Sequence, residues 1–194
     1  MILARHGESV FSERLLVNGD VAAPGPLTAR GREEAHALAQ ALAEDRIDLC
    51  VVSEFERTRE TAEIALAGRD VPRVVLPELN DPRYGSYEGG ELEHYREWAG
   101  TVPSDTEAPG GGESRRQIVA RYAQGFRSLQ KRDEGTILAV IHSLPIAYVL
   151  GACGGESPGR RVPLVEHAHA YRLDVDELDR ALDVLEQWLV SPTW

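Results

Sequence analysis

Four short segments of the chain carry the side chains best suited to chemistry. In the first, Arg5-His6-Gly7-Glu8-Ser9, an imidazole stands beside a guanidinium and a glycine, directly after the apolar run Met1–Ala4. A histidine there is well placed to open into a pocket, although such a triplet also occurs in ordinary surface loops. The second segment, Ser53 to Ala62, puts Arg57 and Arg59 in the first turns of a helix that begins at a strand end. A helix N-terminus favours anions, and the planar guanidinium fork matches phosphate geometry. The plainer reading is a solvated helix face, above all for Arg59. His142-Ser143, after Thr136–Ile141, is the third; its plainer reading is a histidine satisfied at a strand end. The fourth is Asp81 in Leu79-Asn80-Asp81-Pro82-Arg83-Tyr84-Gly85, where an isolated Asp beside Pro is ordinarily a turn residue.

The elements that must hold these segments follow from apolar spacing. Met1–Ala4, Leu49–Val52, Val71–Leu76 and Thr136–Ile141 read as strands, and Tyr171, Leu173 and Val175 alternate with polar residues as in a half-exposed strand. Thr28 is placed to cap a helix carrying Ala35, Leu38, Ala39 and Leu42, and Ser53 with Glu56 matches a capping box for a helix to about Leu66. Further helices are expected over Glu91–Trp98, from Ser114 to about Lys131, from Ser143 to Gly151, and along the tail from Glu177. This alternation predicts an α/β fold, a three-layer α/β/α sandwich with a mainly parallel central sheet. In such sheets ligands bind beyond the carboxyl ends of the strands, where Arg5-His6, Ser53 with Arg57, and His142 all fall. We expect one domain over residues 1–194, with a small cap or insert at about 80–112.

Composition narrows the partners. A net charge of −11, from 21 Lys+Arg against 32 Asp+Glu, argues against nucleic-acid and anionic-membrane binding, both of which need a basic face. It leaves room for a local pocket of inward-facing arginines and a small phosphorylated substrate. Cys50 and Cys153 stand far apart in no metal-ligand spacing, so a reducing compartment fits and no disulfide framework is expected. No apolar stretch suits a signal peptide or a membrane span, so a cytoplasmic protein is expected. Nothing in the sequence specifies an oligomeric state.

Taken jointly, the segments resemble the histidine phosphatase superfamily, also called the phosphoglycerate mutase-like family, over nearly the whole chain. The resemblance rests on R-H-G at Arg5–Gly7, P-L-T-x-x-G at Pro26–Gly31, S-x-x-x-R-x-x-x-T-A at Ser53–Ala62, an acid four residues before Gly85, G-G-E-S at Gly111–Ser114, and the late strand leading to His142. It implies a metal-independent phosphatase with no cofactor. His6 would attack phosphorus, Arg5, Arg57 and His142 would hold the phosphoryl oxygens, and Asp81 would protonate the leaving oxygen and then activate water. Nearby arginines would keep the His6 lone pair available, and preplaced donors would meet the charge of the transferring group. Ser9 and Ser143 are expected as further phosphate contacts. Two departures stand out. The family more often has Glu where Asp81 stands, which makes Glu88 the fallback acid and Glu78 a weaker one. Many members carry Asn six residues after the nucleophile, where Ser12 stands here; Asn18 is a possible substitute.

Several readings compete. Mutase members of the family usually have longer chains, with extra loop residues that retain a bisphosphorylated intermediate, so a phosphatase acting on a small molecule is favoured at this length. Phosphoglycerate mutase and a phosphatase acting on phosphohistidine or phosphoserine of a protein are the alternatives within the family. A non-catalytic phospho-ligand binding module would show the loss of a core residue, and Arg5, His6, Arg57 and His142 are all present. His167 and His169 would share one face of a strand and could hold a metal, but no further ligand completes such a site. Substrate choice is expected to lie with Arg83, Tyr84, His94, Tyr95 and Trp98, with Arg83 meeting a second anionic group of the substrate.

Overall fold

A computed structural model describes all residues, 1–194. Its centre is a five-stranded sheet in the order β3-β2-β4-β1-β5, with β1 at Ile2–Arg5, β2 at Leu49–Val52, β3 at Arg73–Val75, β4 at Ile137–Ile141 and β5 at Ala170–Arg172. Every pairing is parallel except that of β5, which runs antiparallel along the edge of β1. The expected mainly parallel sandwich is therefore the observed fold.

The three central strands are buried along their whole length, and alternation sends their side chains to two separate cores. Leu3, Val51 and Ala139 face one layer, made by α4 (Arg115–Gln130), α5 (Ser143–Cys153) and α6 (Val175–Val190). Ala4, Cys50 and Val140 face the other, made by α1 (Ala29–Ala41) and α2 (Glu56–Ala65). A third, smaller cluster lies above the strand ends, where Val17, Tyr84 and Tyr95 pack together and include residues of α3 (Leu92–Thr101).

The last strand is shorter than its alternation suggests. β5 stops at Arg172 because Asp174 caps α6: its side chain accepts from the Glu177 N–H, so Val175 opens a helix instead of continuing a strand. His167 and His169 also lie outside β5, and Ala168 between them has φ 48°, which breaks the alternation that would have put both imidazoles on one face. No helix is long and apolar enough to cross a membrane.

Candidate active site

The floor of the site is built from the carboxyl ends of β1, β2 and β4. His6 follows β1 and is tied down by its N–H, which donates to the Ile141 carbonyl of the neighbouring strand at 2.9 Å. Its ring is buried, 3% exposed, with Nδ1 at 2.7 Å from the Gly7 carbonyl oxygen. A carbonyl only accepts, so Nδ1 carries the proton and Nε2 keeps its lone pair. Burial first, then the charges of Arg57 and Arg5 and the nearby His142, hold the His6 pKa well below the ordinary histidine value. The ring is thus neutral and nucleophilic at physiological pH. From the edge, His167 donates through Nδ1 to the His6 carbonyl at 2.8 Å.

Two motif glycines explain how this loop sits against α1. A Cβ on Gly7 would lie 2.3 Å from the Gly31 carbonyl oxygen, and one on Gly31 would lie 2.0 Å from that of Glu8. Only glycine at both positions lets the two backbones touch. Thr28 fixes the same junction, accepting from the Gly31 N–H at 3.0 Å and donating to Glu8 at 2.8 Å.

At the end of β2 the structure departs from the expected capping box. Phe55, not Ser53, is the N-cap of α2, and no side chain caps it. Ser53 Oγ instead contacts His142 Nε2 at 2.8 Å and Thr58 Oγ1 at 2.9 Å, while Glu56 accepts from the Gly25 N–H. A contact with a site residue has replaced a local cap. Four residues beyond Ser53, Arg57 is 3% exposed and held on several sides: Nη1 donates to Asn18 Oδ1 at 2.6 Å, and Nη2 donates to the Asn18 carbonyl at 3.1 Å and to Asp81 Oδ2 at 2.7 Å. Its guanidinium also lies 4.1 Å from the centre of the Phe55 ring. Arg59 is exposed, as its plainer reading expected.

His142, fully buried after β4, completes the floor. Its Nδ1 stands 3.1 Å from Asp81 Oδ2, and its ring meets that of His6 edge-on at 5.3 Å. Burial outweighs the pull of Asp81 and lowers the His142 pKa to about 4, so the ring is neutral near pH 7. Its Nδ1–H can then donate to Asp81 while Nε2 accepts from Ser53. For Asp81, burial opposes ionisation, but His142 and Arg57 more than offset it and hold the carboxyl well below the usual range. Arg5, pushed down to about 10 mainly by burial, stays charged. Its Nη1 donates to the Val165 carbonyl at 2.8 Å, and its buried Nε has no protein partner.

These groups line one cavity: Arg5, His6, Ser9, Asn18, Arg57, Asp81 and Ser143 all reach its wall. His142 lies directly behind, in contact with Asp81 and Arg57. Asp81 is the one carboxylate on that wall. Glu88 is committed elsewhere, accepting from the Gly19 and Tyr84 N–H groups at 2.8 Å each, and with Glu78 it lines a second cavity. Asn18 reaches the cavity chiefly as a brace for Arg57. Ser143 accepts from the Val165 N–H at 3.0 Å, and Ser9 is linked to Ser12 at 3.2 Å. His6, Asp81 and His142 are close enough to share a metal ion, with ligand atoms within 4.8 Å of one another, but Arg5 and Arg57 beside them oppose a divalent cation.

The rim differs from expectation. Tyr84 and Tyr95 do line the cavity, meeting edge-on at 4.7 Å. Arg83 does not: it is exposed and faces the second cavity, because Tyr84 turns inward and neighbouring side chains leave the backbone on opposite sides. His94 and Trp98 stay behind, stacked around Tyr87. Sequence reasoning missed the cations that are present: Arg96, Arg115, Arg160 and Arg161 line the mouth, with apolar walls from Leu15, Leu92, Leu144 and Val162. For Arg115 a signal existed, since two arginines directly after a helix cap contradict the usual acidic first turn.

A buried neutral imidazole with a free lone pair, two guanidinium groups and a second imidazole near the ends of parallel strands, with one carboxylate from the segment after β3, make an arrangement suited to a phosphoryl group. The family model of the histidine phosphatase superfamily (branch 1) matches residues 1–187, and the chain belongs to that superfamily. It is 33% identical over 168 residues to the adenosylcobalamin/alpha-ribazole phosphatase of Escherichia coli K12, covering 77% of this chain and 78% of that one. The corresponding Salmonella typhimurium phosphatase is 41% identical over 95 residues, which span 49% of this chain and only 45% of that protein. Among solved structures, the alpha-ribazole phosphatase of Shigella flexneri superposes with a TM-score of 0.68 at 25% identity, over 87% of this chain and 95% of that one.

Proposed function

We propose that the protein is a phosphoric monoester hydrolase that acts on a small phosphorylated molecule through a phosphohistidine on His6. The observation that carries this is the tautomer of His6: the Gly7 carbonyl takes the Nδ1 proton and leaves Nε2 as a buried nucleophile beside Arg5 and Arg57.

In the first step the phosphoryl oxygens are met by Arg5 and Arg57, with Ser9 and Ser143 on the same wall; His142, expected as a third phosphoryl contact, has its two nitrogens on Asp81 and Ser53 and braces the site from behind. Nε2 attacks phosphorus as the bond to the ester oxygen breaks, and Asp81 gives that oxygen a proton. In the free protein Asp81 is ionised, so the proton must arrive with the substrate: a phosphate monoanion hands it to Asp81, and the resulting dianion beside the carboxyl favours its acid form. Asp81, ionised again, then takes a proton from water. The water oxygen bonds to phosphorus, the P–N bond breaks, and inorganic phosphate leaves with the proton from Asp81, which returns the carboxylate to its ionised form. The guanidinium groups stabilise charge on the transferring group, which is the main catalytic contribution in phosphoryl transfer.

Inward-facing arginines on a chain of net charge −11 suit a small-molecule partner better than a nucleic acid or a membrane. Two free cysteines suit a reducing, cytoplasmic setting. Alpha-ribazole phosphate, the substrate type in the relatives' names, combines a phosphate with a larger body that the apolar walls could cover.

The test is phosphate release from a panel of phosphorylated metabolites, including alpha-ribazole phosphate and 3-phosphoglycerate, with a chelator present. We expect turnover in EDTA, an acid-labile phosphoryl group trapped on His6, and loss of at least about 10³-fold in His6→Ala. Conversion of 3-phosphoglycerate to 2-phosphoglycerate without phosphate release would make it a mutase instead. Activity that disappears in EDTA and returns with a divalent ion would overturn the metal-free scheme.

A further inference from the structure

The cavity above the floor holds far more positive charge than one phosphoryl group requires. Six arginines line it against the single carboxylate Asp81, in a chain whose net charge is −11. Five of the six have an evident protein partner. Arg57 pairs with Asp81 and Arg161 with Glu93, while Arg5, Arg96 and Arg160 donate to backbone carbonyls. Arg115 differs. It is 8% exposed, reaches the cavity wall, and has neither a carboxylate nor a backbone carbonyl as partner; its guanidinium sits beside the neutral Tyr148 hydroxyl and 5.8 Å from the centre of the Tyr95 ring. A buried cation without a counter-charge is costly, and this one cannot relieve the cost by losing its proton.

Its place in the chain adds a second, independent cost. Arg115 is the first residue of α4, followed by Arg116, so two cations sit at the positive end of a helix dipole. The scaffold helix α6 shows the usual arrangement, with Asp176 and Glu177 in its first turn. Burial without a counter-charge and the wrong end of a helix both disfavour Arg115 on structural grounds. An anion arriving in the cavity would answer both.

We infer that Arg115 forms a second anion site in the cavity of His6, so that the substrate is a phosphate monoester with an apolar body and a second anionic group. The second group is a carboxylate or another phosphate; the guanidinium fork accepts either in the same bidentate way. The phosphoryl group to be cleaved takes Arg5 and Arg57, the body lies along Leu92, Leu144 and Val162, and the far anion meets Arg115. This rests on the phosphatase reading for its kinetic form, and it gives Arg115 the role that Arg83 was expected to play.

The test compares phenyl phosphate with 3-(4-phosphonooxyphenyl)propanoate and 1,4-phenylene bisphosphate, which share one body and differ in the second group. In the wild type we expect kcat/KM at least about tenfold higher for one or both of the doubly anionic compounds, mostly through KM. Preference for the propanoate alone identifies a carboxylate site, and preference for the bisphosphate alone a phosphate site. Arg115→Met should erase the preference and Arg115→Lys should keep part of it, which separates lost charge from a damaged fold. No preference in the wild type, or one that survives in Arg115→Met, overturns the inference. If none of the three compounds releases phosphate, the hydrolase reading fails by itself. The second site is then judged by the same comparison of dissociation constants, measured calorimetrically on the wild type and Arg115→Met with the same expected loss of preference.

Discussion

The floor and the roof of the cavity are built differently. Floor side chains leave the ends of β1, β2 and β4 or the helix that follows, with Asp81 reaching in from the segment after β3, and each is oriented by a further contact. Gly7 sets the His6 tautomer, Asn18 and Asp81 grip Arg57, and Ser53 holds His142. Roof residues come from the irregular stretch around Phe11 to Val17, from α3, and from the segment before β5, and several are half-exposed or exposed. A sheet end admits few positions and holds them stiffly, which suits bond making. Loops over a sheet tolerate change, which suits selection of a substrate. Substitutions in the floor should therefore slow every substrate through kcat, and substitutions in the roof should re-rank substrates through KM.

Asp81→Asn sharpens the comparison most. Without an acid, an alkyl phosphate should be turned over about 10²- to 10³-fold more slowly. p-Nitrophenyl phosphate needs no proton on its leaving group. It should still phosphorylate His6 quickly and show a stoichiometric burst, followed by slow release because Asp81 no longer activates water. Equal slowing of the burst for both leaving groups would assign the acid to another residue and leave Asp81 as a brace for Arg57.

The next effect is one of pH. In the proposed mechanism the proton used by Asp81 enters on the substrate, whose second ionisation lies near pH 6, so kcat/KM should fall by up to about tenfold per unit above that. On the acid side activity is lost only when the imidazoles protonate, below their lowered pKa values; for His142 that is about 4. Stability moves the other way. His6, His142 and His167 all have folded pKa values below the ordinary 6.5, so the unfolded chain binds more protons as pH falls. Their contribution is complete above 6.5 and is lost as pH falls below it. Calorimetry should find Tm dropping from pH 7 to pH 5 over the same range in which turnover rises. A Tm that stays level or rises would mean that these rings are not buried neutral.

Ser53→Ala removes the hydroxyl that contacts His142 Nε2 at 2.8 Å and leaves the ring's other nitrogen free to change partners. A loss of about tenfold in kcat, with KM less affected, is expected for a group that only orients another. Stopped-flow rates on p-nitrophenyl phosphate would read it, and an unchanged kcat would limit Ser53 to packing.

The same contrast governs what could be read in the sequence. Strand ends are legible because buried β-branched runs stop where polar residues begin, so His6, Arg57 and His142 could be placed together without coordinates. Asp81 could be named but not weighed against Glu88, because only the fold sends Glu88 to the Gly19 and Tyr84 N–H groups. The Ser53 cap was misread because an α2 capping box and a hydrogen bond to His142 use the same hydroxyl, and a contact 89 residues away leaves no local trace. Arg83 was misplaced by one residue's worth of orientation, which a loop without periodicity does not reveal. Arg160 and Arg161 carried no signal, since neither periodicity nor spacing marks a loop that folds back over a site.

Leu164 gives the smallest expected effect and the most direct check on the roof. It is 42% exposed, an unusual position for a leucine, and it lines the cavity mouth in the segment before β5. A bound substrate with an apolar body would cover part of it. Leu164→Ala would then forfeit a fraction of the roughly 0.8 kcal/mol per buried methylene, or about a threefold rise in KM. For a substrate without such a body KM should not move. kcat should stay within about twofold for both, because binding lost equally from ground and transition states leaves the chemical step alone. A fall in kcat shared by both substrates would instead mean that the roof helps to position the floor, and the division of labour between the two regions would not hold.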